Sequence, residues 1–193
     1  MKLYYSPGAC SLAAHIMLHE TGQSFEHVRV DLKAKKTEGG EDYRAINPKG
    51  YVPGLTLDDG ALLTENIAVL SFIGDQAGLV PDGPLGRYRL LEMLAFVSTE
   101  IHKSFKPLFA NGSEDEKARA KEAIAMRLDQ IAGMMRGDYL LGDTLMPVDA
   151  YLFVMLLWAG KNHIDVPDRL AQFRERMLAR DVVRTAMAHE GLN

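Results

Sequence analysis

The chain has 193 residues, of which 47% are hydrophobic and 25% are charged, a composition typical of a folded globular protein. The formal net charge of -4 disfavours non-specific binding to nucleic acid, because that binding needs a surplus of lysine and arginine to neutralise phosphates. The single cysteine, Cys10, excludes an intramolecular disulfide framework and a multi-thiolate zinc site, and it suits a reducing cytosol.

Apolar segments are short throughout the sequence. Residues 1–10 lack the apolar region of a secretory signal. The most apolar later run, residues 150–159, is shorter than the roughly 20 residues that a membrane span needs. We therefore expect a cytoplasmic protein with no membrane partner and no nucleic-acid partner.

The first part of the chain is predicted to alternate strands and helices, from its short β-prone runs, its helical spacing after Cys10 and the hairpin turn at Asp59-Gly60. Strands are expected at 2–5, 25–32, 52–57 and 61–64, helices at 11–21 and 65–76, and a loop with a short helix at 33–43. The order β-α-β-loop-β-β-α is the thioredoxin-like arrangement. Residues 1–77 are therefore predicted to form an α/β domain of that class.

The second part of the chain is predicted to be helical throughout. Residues 78–86 are rich in proline and glycine and are expected to be a linker. Apolar residues at three- and four-residue steps then predict one long amphipathic helix over 87–109. Further helices are expected at 114–135, 148–158, 167–179 and 181–189. Residues 87–193 are therefore predicted to form an all-α helical bundle.

Cys10 stands between the first predicted strand and the first helix. A thiol there meets unsatisfied backbone N–H groups and the positive end of the helix dipole, which favour the thiolate and predict a nucleophile or a thiol-binding group. An inert buried cysteine is the alternative. No second cysteine follows, so dithiol chemistry within one chain is excluded, and exchange with an external thiol remains open.

Two further pairs of residues are candidates for ligand binding. A cis Pro53 would turn the Val52 backbone outward to pair with an extended peptide, although the frequencies of X-Pro isomers favour a trans bond. Glu65 and Asn66 open a predicted helix, where a side chain and N–H groups can bind the ammonium and the carboxylate of one ligand. A simple helix cap is the alternative for this pair.

His15 and His19 are one helical turn apart and could form half of a metal site. No glutamate follows His15 as it does in the helix of a zinc protease. The pair is therefore expected to lie on a solvated helix face, and no metal site is predicted.

Several motifs follow one another along the chain: MKLYYSPGACS at 1–11, VDL at 30–32 with KKT at 35–37, Tyr43 with INPKGYVP at 46–53, LDDG at 57–60 with LTE at 63–65, HKSF at 102–105 with PLF at 107–109, and DAYLF at 149–153. Together they strongly resemble the bacterial beta-class glutathione S-transferases, and the resemblance covers essentially the whole chain. It implies a homodimeric enzyme that conjugates glutathione, its co-substrate, to hydrophobic electrophiles, with no tightly bound cofactor.

The resemblance also implies roles for residues of the first domain. Cys10 would face the glutathione sulfur, Val52 would pair with the cysteinyl backbone ahead of a cis Pro53, and Lys35 would reach the glycyl carboxylate. The γ-glutamyl end would be bound by Glu65 and Asn66.

For the helical domain, the resemblance implies a basic pair near the sulfur, His102 and Lys103, of which His102 is catalytic together with Cys10. Thr99 and Glu100 match positions that reach across a dimer interface. The hydrophobic electrophile would bind at a further set of residues, which could equally be plain core: Phe105, Leu108, Phe109 and Trp158.

Three positions depart from the family pattern, which usually has Ser or Gly at Asn66, Asn at Ala95, and a Ser or Thr helix cap at Met146. A missing cap costs about 1 kcal/mol of helix stability, although Pro147 and Asp149 still define a helix start. Two other functions are open. One is disulfide exchange through Cys10 itself, and the other is a non-catalytic binding protein with this fold.

Overall fold

The computed structural model describes residues 1–110 and 112–192. By its packing, the chain divides into two compact units. The first consists of Met1–Leu79 together with the segment from Arg180 onward, and the second of Val80–Ala179. The α/β arrangement of the first unit and the helical second unit confirm the predicted fold class.

Within the described residues of the first unit, five strands form one mixed sheet in the order β3-β2-β1-β4-β5. The strands are β1 (Lys2–Tyr5), β2 (Glu26–Asp31), β3 (Lys36–Thr37), β4 (Gly54–Thr56) and β5 (Leu62–Thr64). Strand β1 pairs with β2 in parallel and with β4 antiparallel. The edge strand β3 was not expected, because it has only two residues in a charged segment and forms only by pairing with β2.

The helices of the first unit are α1 (Leu12–Glu20), α2 (Tyr43–Ile46), α3 (Asn66–Ala77) and, from the end of the chain, α9 (Asp181–His189). Helix α1 is buried from Leu12 to Leu18, because it packs against both α3 and α9. The expected solvated face is therefore wrong for His15, which has no exposed surface, and His19 is half-buried.

Helix α9 packs with the first unit, whereas the sequence placed residues 87–193 in one helical domain. The side chain of Arg180, at the start of α9, forms an ion pair with Glu20 at the end of α1, with 2.5 Å between nitrogen and oxygen. The apolar residues Val183 and Ala186 of α9 are fully buried. The helix was correctly predicted, but its packing partner lies about 160 positions earlier in the chain.

The helices of the second unit are α4 (Gly86–Phe96), α5 (Lys106–Phe109), α6 (Glu114–Met134), α7 (Pro147–Lys161) and α8 (Asp168–Leu178). The predicted single helix over 87–109 is wrong in one respect. After α4 the backbone forms a π-helical turn at Val97–Ile101 and a 3₁₀ turn at His102–Phe105. Such irregular turns leave the apolar spacing almost unchanged and often occur at functional sites.

Helix α7 is buried along most of its length and begins without the serine or threonine cap expected of the family. The Asp149 N–H donates to the Met146 carbonyl at 2.9 Å in place of the missing cap side chain, and the fully buried Asp149 carboxylate supplies the reciprocal half of a capping box. It accepts hydrogen bonds from the backbone N–H groups of Met146, at 2.8 Å, and Leu140, at 2.9 Å. The departure at Met146 therefore leaves the start of α7 satisfied.

In the part of the chain that the structure describes, no helix is both long and apolar enough to cross a lipid bilayer.

Candidate functional site

The loop between β1 and α1 holds Cys10 in a fixed position. The Ser11 side chain is fully buried, and its Oγ accepts from the Ser6 N–H at 3.2 Å and lies 3.4 Å from the Ser6 carbonyl. From the far end of the chain, the Glu190 carboxylate accepts from the Gly8 N–H at 2.8 Å. Sequence reasoning missed Glu190, because about 180 residues separate it from the loop.

The Cys10 sulfur lies 3.5 Å from the Val52 carbonyl oxygen, to which its S–H donates. Burial raises the pKa of this thiol to about 12, and hydrogen bonds from the backbone N–H groups of Cys10 and Ser11 act in the opposite direction. The expected thiolate is therefore wrong for the free protein. The helix terminus is present, but the loss of solvation outweighs it.

The peptide bond between Val52 and Pro53 is cis, as the resemblance implied and against the trans bond that residue frequencies favoured. The preceding loop is anchored by Tyr43 and Asn47. The Tyr43 hydroxyl and the Asn47 side-chain amide donate to the Tyr51 carbonyl at 2.9 and 2.8 Å. Val52 is buried and is thus positioned between a rigid loop and the start of β4.

Glu65 precedes α3 with a φ of 70°, a left-handed conformation that costs a non-glycine residue about 1–3 kcal/mol and that is common at functional sites. Its side chain forms no cap hydrogen bond, so the simple helix cap is excluded. Instead the exposed carboxylate forms an ion pair with Lys49, at 2.6 Å. The Lys49 ammonium also donates to Thr64 at 3.1 Å, and sequence reasoning had not assigned Lys49 to the site.

Asn66 is the first residue of α3 and is buried. Within residues 1–110 and 112–192, neither the oxygen nor the nitrogen of its side-chain amide has a hydrogen-bond partner. An unsatisfied buried amide costs about 1–3 kcal/mol.

Lys35 is half-buried, and its Nζ donates to the Gly50 carbonyl at 2.8 Å. The same nitrogen lies 5.5 Å from the centre of the Tyr51 ring. The lysine is therefore held against the loop that leads to Val52. In the first unit, Cys10 and Lys35 thus both contact the segment from Gly50 to Pro53. Glu65 lies at the start of α3.

In the second unit, His102 lies in the 3₁₀ turn and its Nδ1 is 2.6 Å from the Tyr151 hydroxyl. Burial lowers the pKa of His102 to about 4, so the imidazole is neutral at neutral pH. His102 therefore brings a neutral ring rather than a positive charge, and its place near the sulfur stays a prediction. Lys103 is exposed.

An aromatic cluster adjoins His102. The indole of Trp158 stands edge to face against His102, Phe105 and Phe109, with ring centres 4.9, 5.4 and 4.8 Å apart. Phe105 has no exposed surface and Trp158 is buried, whereas Phe109 is 58% exposed and Leu108 is half-buried. Phe105 is thus core, and Phe109 and Leu108 offer apolar surface to a ligand.

Thr99 and Glu100 lie in the π-helical turn. The exposed Thr99 hydroxyl donates to the Ala95 carbonyl at 2.9 Å. This hydrogen bond uses the backbone carbonyl of Ala95, so it does not depend on the asparagine side chain that the family usually has at this position. The Glu100 carboxylate forms an ion pair with Arg127 of α6 at 2.7 Å.

Comparison with known proteins identifies relatives of both parts of the chain. The family models for the glutathione S-transferase N-terminal and C-terminal domains match residues 8–76 and 88–181. Glutathione S-transferase GstA of Escherichia coli O157:H7 is 40% identical over 200 aligned positions, which cover all of both chains. A sphingomonad glutathione S-transferase solved in complex with glutathione is 46% identical, with full coverage of both chains and a TM-score of 0.94. The beta-class enzyme of Sphingomonas chungbukensis is 43% identical, again with full coverage, and has a TM-score of 0.91.

Proposed function

The chain belongs to the glutathione S-transferase family, and on that premise we propose that it conjugates reduced glutathione to hydrophobic electrophiles, with Cys10 as a hydrogen-bond donor rather than a nucleophile. The observation that supports this role is the geometry of the Cys10 thiol, which donates to the Val52 carbonyl, and burial raises its pKa to about 12. On glutathione binding, the S–H would turn from the Val52 carbonyl to the glutathione sulfur and stabilise its anion, while the freed carbonyl would accept from the bound peptide.

The tripeptide would bind along the first unit. The Val52 backbone, ahead of cis Pro53, would pair with the cysteinyl residue as a strand edge does. The Lys35 ammonium would bind the glycyl carboxylate, because it is held at the same loop as Val52. No tightly bound cofactor enters the proposal.

The γ-glutamyl end would bind at the start of α3. The Glu65 carboxylate would pair with the ligand ammonium in place of Lys49, and the free N–H groups of the helix terminus would bind the carboxylate. The buried side-chain amide of Asn66 has no hydrogen-bond partner among the described residues, and a hydrogen bond to the γ-glutamyl group would satisfy it. The Asn66 amide can donate at this position, where the family usually has Ser or Gly.

His102 and Lys103 would act on the glutathione sulfur in two different ways. With the Tyr151 hydroxyl donating to Nδ1, the proton of the neutral His102 ring is on Nε2, which makes it a hydrogen-bond donor. Lys103 would supply the positive charge. Thr99 and Glu100 would lie at the interface of a homodimer.

In the reaction, the glutathione thiol would lose its proton to solvent, and the sulfur would then use an electron pair to form a bond with the electrophilic carbon. The leaving group would depart with the pair of its broken bond. The electrophile would contact apolar side chains next to His102, with Phe109 and Leu108 as the accessible ones and Phe105 and Trp158 as their support.

Exchange through Cys10 is the weaker proposal, because a thiol with a pKa near 12 is almost entirely protonated at neutral pH and only the thiolate is a good nucleophile.

The proposed conjugation activity is tested with glutathione and a chloronitroarene, compared between Lys35→Met and the exposed neighbour Lys33→Met. We expect Lys35→Met alone to raise the KM for glutathione about tenfold, and to lose that effect with glutathione esterified at its glycyl carboxylate. A conjugation rate no higher with protein than without it would refute the proposed function, whereas equal KM values for the two variants would remove only Lys35.

A further inference from the structure

Four histidines of the first unit lie together, and none of them is assigned to glutathione. His15 and His19 come from α1, His27 from β2 and His189 from the end of α9. The rings of His15, His19 and His189 have centres 5.2 to 5.6 Å apart. The His27 ring stacks on His189 at 4.8 Å. The proposed conjugation chemistry does not use this cluster.

Three of these rings can point one nitrogen each to a common point. One ring nitrogen of each of His15, His19 and His189 lies within 4.8 Å of the others. His19 Nε2 and His189 Nδ1 are hydrogen bonded at 3.3 Å, and a metal would take the place of the shared proton. Two imidazole nitrogens bound to one tetrahedral Zn²⁺ at about 2.0–2.1 Å are about 3.3 Å apart. The pair therefore already has the spacing of two metal ligands.

His15 supplies the independent observation. Its Nδ1 is 3.0 Å from Glu190 Oε1, and its Nε2 is buried without a hydrogen-bond partner among the described residues. Metal-binding histidines typically donate their second ring N–H to a carboxylate, which fixes the tautomer and points the free lone pair at the metal. Glu190 is itself held by the Gly8 N–H, so the arrangement is rigid.

Neutral imidazole is the form that binds a metal. Exposure increases from the buried His15 to the exposed His189, which gives the ion an entry path from solvent.

We propose that His15, His19 and His189 form a three-histidine site for a divalent transition metal, with Zn²⁺ as the reference ion and the fourth position open to water. Imidazole ligands suit Zn²⁺, Cu²⁺ and Ni²⁺ rather than Mg²⁺ or Ca²⁺. A metal there would link α1 to α9 and stabilise the end of the chain on the first unit. The proposal stands independently of the conjugation activity.

The test uses the full chain without a histidine tag, stripped with a chelator and titrated with Zn²⁺ by calorimetry and with Co²⁺ by visible absorption. We expect one metal per chain and the intense absorption of tetrahedral Co²⁺. His19→Ala and His189→Ala should each weaken Zn²⁺ binding by about tenfold or more, whereas the control His163→Asn, at an exposed turn of the second unit, should bind like the wild type. Equal affinity in His189→Ala and wild type, or no binding by the wild type, would overturn the proposal.

Two further measurements separate lost ligands from lost folding. Zn²⁺ should raise the thermal midpoint of the wild type but not of His189→Ala, whose conjugation activity reports an intact fold. Glu190→Gln keeps all three ligands and an amide oxygen for the Gly8 N–H but removes the negative charge behind His15, so we expect binding about 10- to 100-fold weaker. Unchanged binding in Glu190→Gln would contradict the assigned role of His15.

Discussion

The surroundings of Cys10, an acid, and of His102, a base, both favour the uncharged form of the side chain. Burial raises the pKa of the Cys10 thiol to about 12 and lowers that of the His102 imidazole to about 4, so both groups are neutral at neutral pH. They differ in their partners. Cys10 donates to a backbone carbonyl, and backbone N–H groups oppose its shift, whereas His102 is held by one phenol. The comparison shows that desolvation can outweigh both a helix terminus and a favourable local sequence.

The largest expected effect concerns the chemical reactivity of Cys10. At pH 7.5 we expect iodoacetamide to alkylate folded Cys10 about 3000-fold more slowly than the urea-unfolded chain, since a pKa of about 12 against the usual 8.5 for a free cysteine reduces the thiolate fraction by about that factor. The folded rate should still increase about tenfold per pH unit from 7 to 10, where the unfolded rate levels off. Mass spectrometry of quenched samples measures both. A plateau of the folded rate below pH 9 would show that Cys10 is a stabilised thiolate.

The next largest effect is expected from a change of charge at Glu65. It tests whether glutathione binding by the first unit depends on a charged side chain, in contrast to the neutral Cys10. Glu65→Lys should abolish retention on immobilised glutathione, because the ligand ammonium would face a cation. Calorimetry should show affinity weaker by about 100-fold or more. The matched control Glu26→Lys changes an exposed acid on β2 and should bind normally. Normal binding by Glu65→Lys would remove this residue from the site.

A smaller loss is expected when the His102 donor is removed. His102→Phe should lower kcat for conjugation about tenfold, the magnitude of one lost hydrogen bond, with the KM for glutathione changed by no more than about twofold. Tyr151→Phe should give about a threefold loss, since the imidazole stays but its tautomer is no longer fixed. Tyr139→Phe, another buried tyrosine of the second unit, controls for stability. A kcat unchanged in His102→Phe would confine this region to a structural role.

The smallest effect is expected for conjugation by Cys10→Ala. The variant keeps the backbone N–H groups and the second-unit donors, so conjugation should fall by about tenfold at most. Incubation with oxidised glutathione should give no mass increment in this variant, because Cys10 is the only cysteine. Complete loss of conjugation with glutathione binding intact would refute the donor role and favour a covalent one.

Much of the fold follows from local patterns. Apolar spacing and turn residues correctly predicted β1, the hairpin around Asp59-Gly60, and helix α9 to its first and last residue, because each depends on neighbours a few positions away. The same patterns place Cys10 just before α1 and His102 within a helical segment. Local patterns therefore predicted these elements, whereas the family and most of the candidate residues came from the resemblance of the motifs to known glutathione S-transferases.

The tertiary structure decided what depends on distant neighbours. Strand β3 exists only by pairing with β2, and α9 belongs to the first unit because its apolar face and Arg180 meet α1. The protonation states of buried side chains also depend on distant neighbours. Whether Cys10 or His102 carries a charge is set by how completely residues far along the chain exclude water, and no local spacing encodes that exclusion.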